Sequence, residues 1–213
     1  MNISKYIEQI RVLEPFNQSK FKYNTEKWKK LNPTYKHYIT DFENIDISRK
    51  DIIDAFKEFY ENGRLWEKPF LLTMIWGFAD TGYGTYRTNK YLDTLANHEL
   101  IINSFSYIQK NELENAYNTL KQIKGLNVSY ISKIMYFATR ALGLNDYFLI
   151  YDIRVAKSLI LLTSTPEIAE IIEVYPSSKF KHYQIYNNLI HNISRQNDIE
   201  SDALEMFLFE QKF

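Results

Sequence analysis

The chain has 213 residues with 26 basic and 26 acidic side chains, so it lacks the global positive charge of many nucleic-acid-binding proteins, and any contact with DNA must be a local patch. The absence of cysteine excludes disulfides, cysteine nucleophiles, cysteine-type zinc sites and iron–sulfur clusters. Because it has only six glycines and five prolines, we expect a single all-α domain over residues 1–213.

Membrane and metal sites are not indicated. No segment approaches the roughly 20 apolar residues of a membrane helix, and the N-terminus, MNISKYIEQIRVLEPF, lacks the apolar core of a signal peptide. The histidines show no close metal-ligand spacing; they are His37, His98, His182 and His191. We expect a cytoplasmic protein with no membrane partner, metal or cofactor, and we expect it to be a monomer.

Residues 15–47 form the least regular segment and contain KFKYNTEKWKKLNPTYKH. Its lysines are opposed only by Glu26; they are Lys20, Lys22, Lys27, Lys29, Lys30 and Lys36. Aromatic residues alternate with them; they are Phe21, Tyr23, Trp28 and Tyr35. Cations beside aromatic faces suit phosphates and unstacked bases. A solvated segment whose aromatic rings anchor it to the core explains the pattern equally, and is the preferred interpretation of this segment alone.

Three stretches carry the signals of a helix start. SRKDIIDAFKEFYENG places Ser48 as N-cap, Asp51 three residues later and Gly63 at the end. NELENAYNTLKQI predicts a helix from Asn111. In TPEIAEIIEVY, Thr165 is a cap followed by a proline at the first helical position.

The stretch WGFADTGYGTYRTNKYL contains three of the six glycines, at 77, 82 and 84. Glycine permits sharp turns and close approach, so the neighbouring rings of Trp76, Phe78 and Tyr83 are candidates for a pocket that holds a flat base. A packed loop between helices is the alternative. The spacing of these glycines fits neither G-x-x-x-x-G-K-S/T nor G-x-G-x-x-G, the two patterns of loops that bind nucleotide phosphates.

The stretch LKQIKGLNVSYISKIMYFATRALG predicts a helix, a hairpin and a second helix within residues 112–143. The first helix is expected to end near Ile123, and the second to run from Val128 to Leu142. The N–H groups at such a turn can bind a DNA phosphate. The predicted phosphate-binding residues are Lys124, Gly125, Asn127 and Ser129.

Lys133 lies on the polar flank of the second helix, with Ser129 and Arg140, and is expected to border the core. Asp152, in LIYDIRVAKSL, interrupts an apolar run and is expected to start another helix. Each residue alone has an ordinary explanation, as a surface lysine and an N-cap. Because they occur together, Lys133 and Asp152 are the candidate catalytic residues.

The order of these segments resembles the helix-hairpin-helix DNA glycosylase superfamily, in particular its bacterial branch with the 8-oxoguanine glycosylase fold. The resemblance rests on KGLNVSYISKIMYFA and LIYDIRVAKSL, supported by IWGFADTGYGTYRT and the terminal DALEMFLF, and covers about residues 66–213. It implies two helical lobes with a cleft between them. It also implies that Lys133 is the nucleophile and that Asp152, 19 residues later, lies opposite it.

The chain departs from the pattern LPGVGxK of better-known members, because Ser129 stands where that pattern has its lysine. Lys133 follows one turn later, which is about 5.4 Å along the helix. A longer hairpin is the preferred explanation, and Lys124 is the alternative nucleophile. The resemblance further implies that a residue of the last helix, Phe207 or Phe209, stacks on the flipped base, although packing against the other lobe explains both.

The implied chemistry requires a carboxylate and an amine. Asp152 would stabilise the cationic sugar as the base leaves, and Lys133 would form a Schiff base that permits β-elimination. A lysine with the ordinary pKa of about 10.4 is almost fully protonated at neutral pH, so burial or a cation such as Arg140 must lower it. We therefore expect the lysine and the aspartate to approach each other without a tight ion pair.

The sequence thus predicts a DNA repair glycosylase that acts on double-stranded DNA with a damaged base, excises an oxidised purine and has abasic-site lyase activity. The choice of 8-oxoguanine follows from the resemblance alone. A glycosylase for another damaged or hypermodified base, used for example against foreign DNA, is one alternative. A non-catalytic helix-hairpin-helix DNA-binding module is a second, and a helical interaction protein without a DNA role is a third.

Overall fold

The computed structural model describes residues 3–79, 82–162, 179–211 and 213. Within these ranges the chain is predominantly helical, which confirms the prediction of an all-α fold. The helices are α1 (Ile7–Arg11), α2 (Pro15–Gln18), α3 (Pro33–Lys36), α4 (Arg49–Asn62), α5 (Glu67–Phe78), α6 (Gly84–Tyr91), α7 (Leu95–Gln109), α8 (Leu113–Leu120), α9 (Val128–Ala141), α10 (Ile153–Leu162), α11 (Phe180–Asn197) and α12 (Ser201–Glu210). Short 3-10 helices cover Ser4–Tyr6 and His37–Phe42. The division into two lobes stays a prediction.

Residues 15–47 are more regular than expected. Besides α2 and α3, the segment holds strand β1 (Lys20–Lys22), which pairs antiparallel with β2 (Asp46–Ser48). Its rings at Tyr23, Trp28 and Tyr35 are buried, whereas the lysines between them are exposed. The aromatic residues therefore anchor the segment to the core, and a phosphate-binding role of the lysines stays a prediction.

Local sequence signals set the ends of several helices. At α4, the Ser48 side chain accepts from the Asp51 N–H and the Asp51 carboxylate accepts from the Ser48 N–H, a capping box, while Gly63 ends the helix at a φ of 64°. Helix α8 begins at Leu113, two residues later than predicted, because Asn111 has a positive φ of 60°. The helix predicted from Thr165 lies outside the described residues.

Helix α9 lies at the centre of the core. Most of its residues are buried, and it packs against α4, α5, α7 and α8. Helix α5 is buried on nearly all sides, as expected of a helix that is apolar around its circumference. Among the described helices, none combines the length and apolar character needed to cross a bilayer.

A buried ion pair connects the first long helix to the last one. The Arg49 guanidinium on α4 donates to the Glu205 carboxylate on α12 at 2.7 Å, and both residues are almost completely shielded from solvent. Burial opposes the charge on Arg49, but Glu205 and Tyr136, through their charges and hydrogen bonds, together outweigh it and raise the pKa of Arg49. Burial also opposes the charge on Glu205 and therefore raises the pKa of this carboxyl group, although Arg49 opposes the shift. The pair therefore depends on both partners.

Candidate active site

A buried extended segment places Asp152 beside α9. The Tyr151 N–H donates to the Ser132 hydroxyl at 3.0 Å, and the Phe148 N–H donates to the Thr139 hydroxyl at 2.9 Å, so two side chains of α9 hold the segment. Asp152 then caps α10, because its Oδ1 accepts from the Arg154 N–H at 3.1 Å. The expected helix start at Asp152 is confirmed.

Lys133 extends back along α9 to meet this carboxylate. Its Nζ donates to the Ser129 carbonyl at 3.1 Å and to the Ser129 hydroxyl at 3.0 Å, and lies 3.5 Å from Asp152 Oδ2. Helical side chains point towards the helix N-terminus, so a lysine can deliver its amine one turn before its own Cα. The amine of Lys133 therefore reaches Ser129, the residue that stands where the pattern LPGVGxK has its lysine. The longer hairpin proposed to explain this offset stays a prediction.

Ser129 lies between the two charged groups. Its hydroxyl donates to Asp152 Oδ2 at 2.8 Å while it accepts from Lys133. The lysine and the aspartate thus approach each other closely, but the shorter contacts of each pass through Ser129. The expectation of a loose pair agrees with these distances.

Burial sets the charge balance of the site. Lys133 is only 5% exposed, and this desolvation lowers its pKa; the attraction of Asp152 opposes the shift and the cation Arg49 adds to it. Burial would raise the pKa of Asp152, but the charge of Lys133 and the hydrogen bonds from Arg154 and Ser129 outweigh it, so the pKa of Asp152 is lowered. The carboxylate stays ionised, and the amine loses its proton more readily than an exposed lysine.

The cation that assists Lys133 is Arg49, and the expectation that Arg140 does so was wrong. Arg140 lies seven residues further along α9, which is about 10.5 Å along the axis. Its guanidinium pairs with Asp202 at 3.2 Å and lies 4.1 Å from the ring centre of Tyr147. Arg49 lies 156 positions from its partner Glu205, so sequence spacing did not indicate this pair.

Two residues that sequence reasoning did not assign to the site enclose the lysine. The Tyr130 ring centre lies 5.3 Å from Lys133 Nζ, and the ring lies 4.3 Å from that of Phe78. Gly77, on α5, faces the lysine stem, because a Cβ there would lie 2.9 Å from Lys133 Cδ. A glycine inside an otherwise apolar helix was the available signal for this close contact.

We expect Gly77→Ala to displace Lys133 and to slow its chemistry about tenfold, with a much smaller effect on stability. The clash must move the lysine stem, whereas alanine favours the helix by about 0.5–1 kcal/mol over glycine. Trapping of a covalent adduct on an abasic site measures the first effect, and thermal unfolding measures the second. Gly82→Ala is the matched control, since no atom lies within 4 Å of its added methyl. Equal adduct rates in both variants would contradict the role of Gly77.

The five candidate base-pocket rings have different environments. Trp76 is buried between Phe21 and Phe137, at ring-centre distances of 5.5 and 5.4 Å. Phe78 is buried against Tyr130, the ring that also lies beside Lys133.

The remaining three rings differ in accessibility. Phe207 is buried and contacts Tyr6. Tyr83 is 57% exposed, with the Arg87 guanidinium 5.2 Å from its ring centre. Phe209 is half-buried under Arg154, two residues from Asp152. The base-pocket assignments stay predictions, and Tyr83 and Phe209 have the accessible rings.

Three of the four predicted phosphate-binding residues lie on the connection between α8 and α9, and Ser129 lies in the first turn of α9. Gly125 has a φ of 88°, and its carbonyl accepts from the Tyr91 hydroxyl at 2.9 Å. Asn127 is the N-cap of α9, and its side chain makes no cap hydrogen bond. Lys124 is exposed and lines a groove of about 480 Å³ that also contains Arg87. The Ser129 hydroxyl is engaged by Asp152 and Lys133, so its backbone N–H would be the group available to a phosphate, and the four phosphate-binding assignments stay predictions.

One of the comparisons with known proteins finds a match. The sequence model of a family described as "Putative 8-oxoguanine DNA glycosylase OGG-like protein" matches residues 14–209. No curated protein and no solved structure matches the chain. The matched range includes the whole Lys133 site, from Gly77 to Asp152 and on to Glu205.

Proposed function

The chain belongs to the 8-oxoguanine DNA glycosylase OGG-like family, and from this premise we propose that it excises an oxidised purine from DNA and then cleaves the abasic site. The substrate is double-stranded DNA with one damaged base, most simply 8-oxoguanine. One observation carries the proposal: a buried amine, with its pKa lowered, lies 3.5 Å from an ionised carboxylate.

Asp152 acts in the first step. The bond between the base and sugar C1′ breaks, the base takes the electron pair and later a proton, and positive charge develops on the sugar. A carboxylate held by the Arg154 N–H and by Ser129 is preorganised to stabilise that charge. Its lowered pKa keeps it ionised at neutral pH.

Lys133 acts in the second step. Its neutral amine attacks C1′ of the sugar cation left by the first step; the bond between C1′ and the ring oxygen then breaks, the ring oxygen takes a proton from the nitrogen, and the opened sugar is held as a protonated Schiff base. Loss of a proton from C2′ then breaks the bond between C3′ and its phosphate oxygen, which cleaves the strand. Burial supports this role, because it makes the amine easier to deprotonate.

Lys133 is favoured over Lys124 as the nucleophile. Lys133 lies beside the carboxylate in a nearly sealed site, whereas Lys124 is exposed on the turn between α8 and α9. Lys124 fits a phosphate contact better, because a solvated cation on the turn can pair with DNA without desolvation of its charge. The adjoining residues, Gly125, Asn127 and the Ser129 N–H, extend the same phosphate-binding surface.

The test is single-turnover base release from a set of duplexes, each with one damaged base, by the wild type and by Asp152→Asn. We expect release from 8-oxoguanine, slowed by about 10²–10³-fold in the variant, because a neutral amide cannot stabilise the sugar cation as a carboxylate does. Asp146→Asn, which changes a carboxylate 70% exposed, is the matched control and should retain the wild-type rate.

Two outcomes would overturn parts of the proposal. Release of a different base alone would show that the substrate assignment is wrong while the glycosylase assignment stands. DNA binding without release of any base would favour a non-catalytic binding module.

A further inference from the structure

The most distinctive feature of the site is the serine hydroxyl between its two charged groups. Ser129 Oγ lies 3.0 Å from Lys133 Nζ and 2.8 Å from Asp152 Oδ2, and both distances are shorter than the 3.5 Å between the amine and the carboxylate. Its single proton points to Asp152, so its lone pair is free to accept from Lys133. The hydroxyl therefore makes the shortest contacts of both groups.

We propose that Ser129 is a positioning residue that separates Lys133 from Asp152 and so keeps the amine available for attack. This inference rests on the proposed function, because it assumes that Lys133 is the nucleophile. The role differs from the phosphate contact predicted for Ser129, which requires only its backbone N–H. It also gives a function to the position at which the chain departs from the pattern LPGVGxK.

The physical reason is the strength of a direct ion pair in a buried site. Without the hydroxyl, Asp152 Oδ2 loses a donor and Lys133 loses an acceptor, and direct contact between the two replaces both interactions. A closer carboxylate stabilises the ammonium form more strongly, so the pKa of Lys133 should rise. An amine held in a tight ion pair is both protonated and tethered, which removes its nucleophilicity.

The remaining charged and titratable neighbours of Lys133 stay the same when Ser129 is changed. Apart from Asp152 at the start of α10, whose distance is the variable, these neighbours are Glu205 on α12, Arg49 on α4 and Tyr130 on α9. Glu205 favours the charged amine and Arg49 disfavours it, and neither touches the Ser129 hydroxyl through a described hydrogen bond. A shift in the Ser129 variant therefore reports on the distance between Lys133 and Asp152.

The first experiment measures the pH dependence of borohydride-trapped adduct on a duplex with a preformed abasic site. The neutral amine increases as pH rises through the pKa of Lys133, so the rate has an acidic limb. We expect Ser129→Ala to move this limb to higher pH by about one unit, which lowers the rate at neutral pH about tenfold and restores it at high pH. Ser129→Thr retains the hydroxyl and should restore the wild-type profile.

The second experiment needs no DNA. The protein is labelled with 13C-lysine, and NMR follows the Cε signal of Lys133 as the pH is changed. The signal is assigned by its absence from the spectrum of Lys133→Gln. We expect a higher pKa in Ser129→Ala than in the wild type or Ser129→Thr. Equal titration in all three proteins would overturn the inference, even if the enzyme is active.

The two experiments separate the two claims. Absence of any adduct in the wild type would contradict the lyase assignment, whereas the NMR shift would still show that Ser129 separates the two charges. A uniform loss of adduct at every pH in Ser129→Ala, without rescue by threonine, would identify a purely structural role and overturn the inference.

Discussion

Lys133→Gln should abolish the borohydride-trapped adduct, with a loss of about 10³-fold or more, since removal of a nucleophile removes the covalent step itself. Glutamine is close to lysine in size and can still donate to the Ser129 carbonyl, so the packing around Tyr130 and Gly77 should persist. Circular dichroism and thermal unfolding verify the fold, and gel analysis of trapped complexes measures the adduct.

Lys124→Gln is the matched control for this variant. It changes an exposed lysine on the turn between α8 and α9, so we expect the adduct to form and the affinity for DNA to become weaker and less salt-dependent, by about one phosphate contact. If the adduct disappears with Lys124→Gln and persists with Lys133→Gln, the nucleophile is Lys124 and the proposed site is wrong.

Arg49→Met should lower the free energy of unfolding by about 3–5 kcal/mol, because it leaves the Glu205 carboxylate buried without its cation. The change also removes the guanidinium from the faces of Trp76 and Tyr136, whose ring centres lie 5.4 and 5.1 Å away. Chemical denaturation at several pH values measures the effect. Lys50→Met changes the neighbouring, exposed cation and should leave stability nearly unchanged.

The loss in Arg49→Met should grow as pH rises. Burial already raises the pKa of Glu205 above its ordinary value of 4.5, and loss of Arg49 raises it further. Above 4.5 the unfolded chain releases this proton while the folded variant retains it, so stability falls by about 1.4 kcal/mol per pH unit up to the folded pKa. The double variant Arg49→Met/Glu205→Leu should recover most of the loss. A pH-independent deficit would contradict this explanation.

Local signals predicted the parts of the fold that depend on neighbouring residues. Ser48 and Asp51 cap α4 within a single turn, and Gly63 ends it, so the sequence contained all the information for that helix. The start of α9 at Val128 was predicted from the hairpin that precedes it. The exact start of α8 was not, because the left-handed conformation of Asn111 is not a local necessity.

The site was predictable only in part. The resemblance indicated Lys133 and Asp152, but the intervening hydroxyl depends on the direction of a side chain along α9. The pairing of Arg49 with Glu205 joins α4 to α12 across 156 positions, so no local spacing in the sequence indicated it. Gly77 was noted as a position that permits a sharp turn or close approach, but the partner, Lys133, depends on how α5 packs against α9.

The backward reach of Lys133 bears on how such chains are recognised from sequence. A search pattern that requires a lysine four residues after the hairpin glycine would find Ser129 and classify the chain as lacking a nucleophile. Yet a lysine one turn later brings its amine to that position of the helix, since Lys133 Nζ lies 3.0 Å from Ser129 Oγ. A pattern that also accepts a lysine one helical turn later would retain this chain, which a fixed register discards.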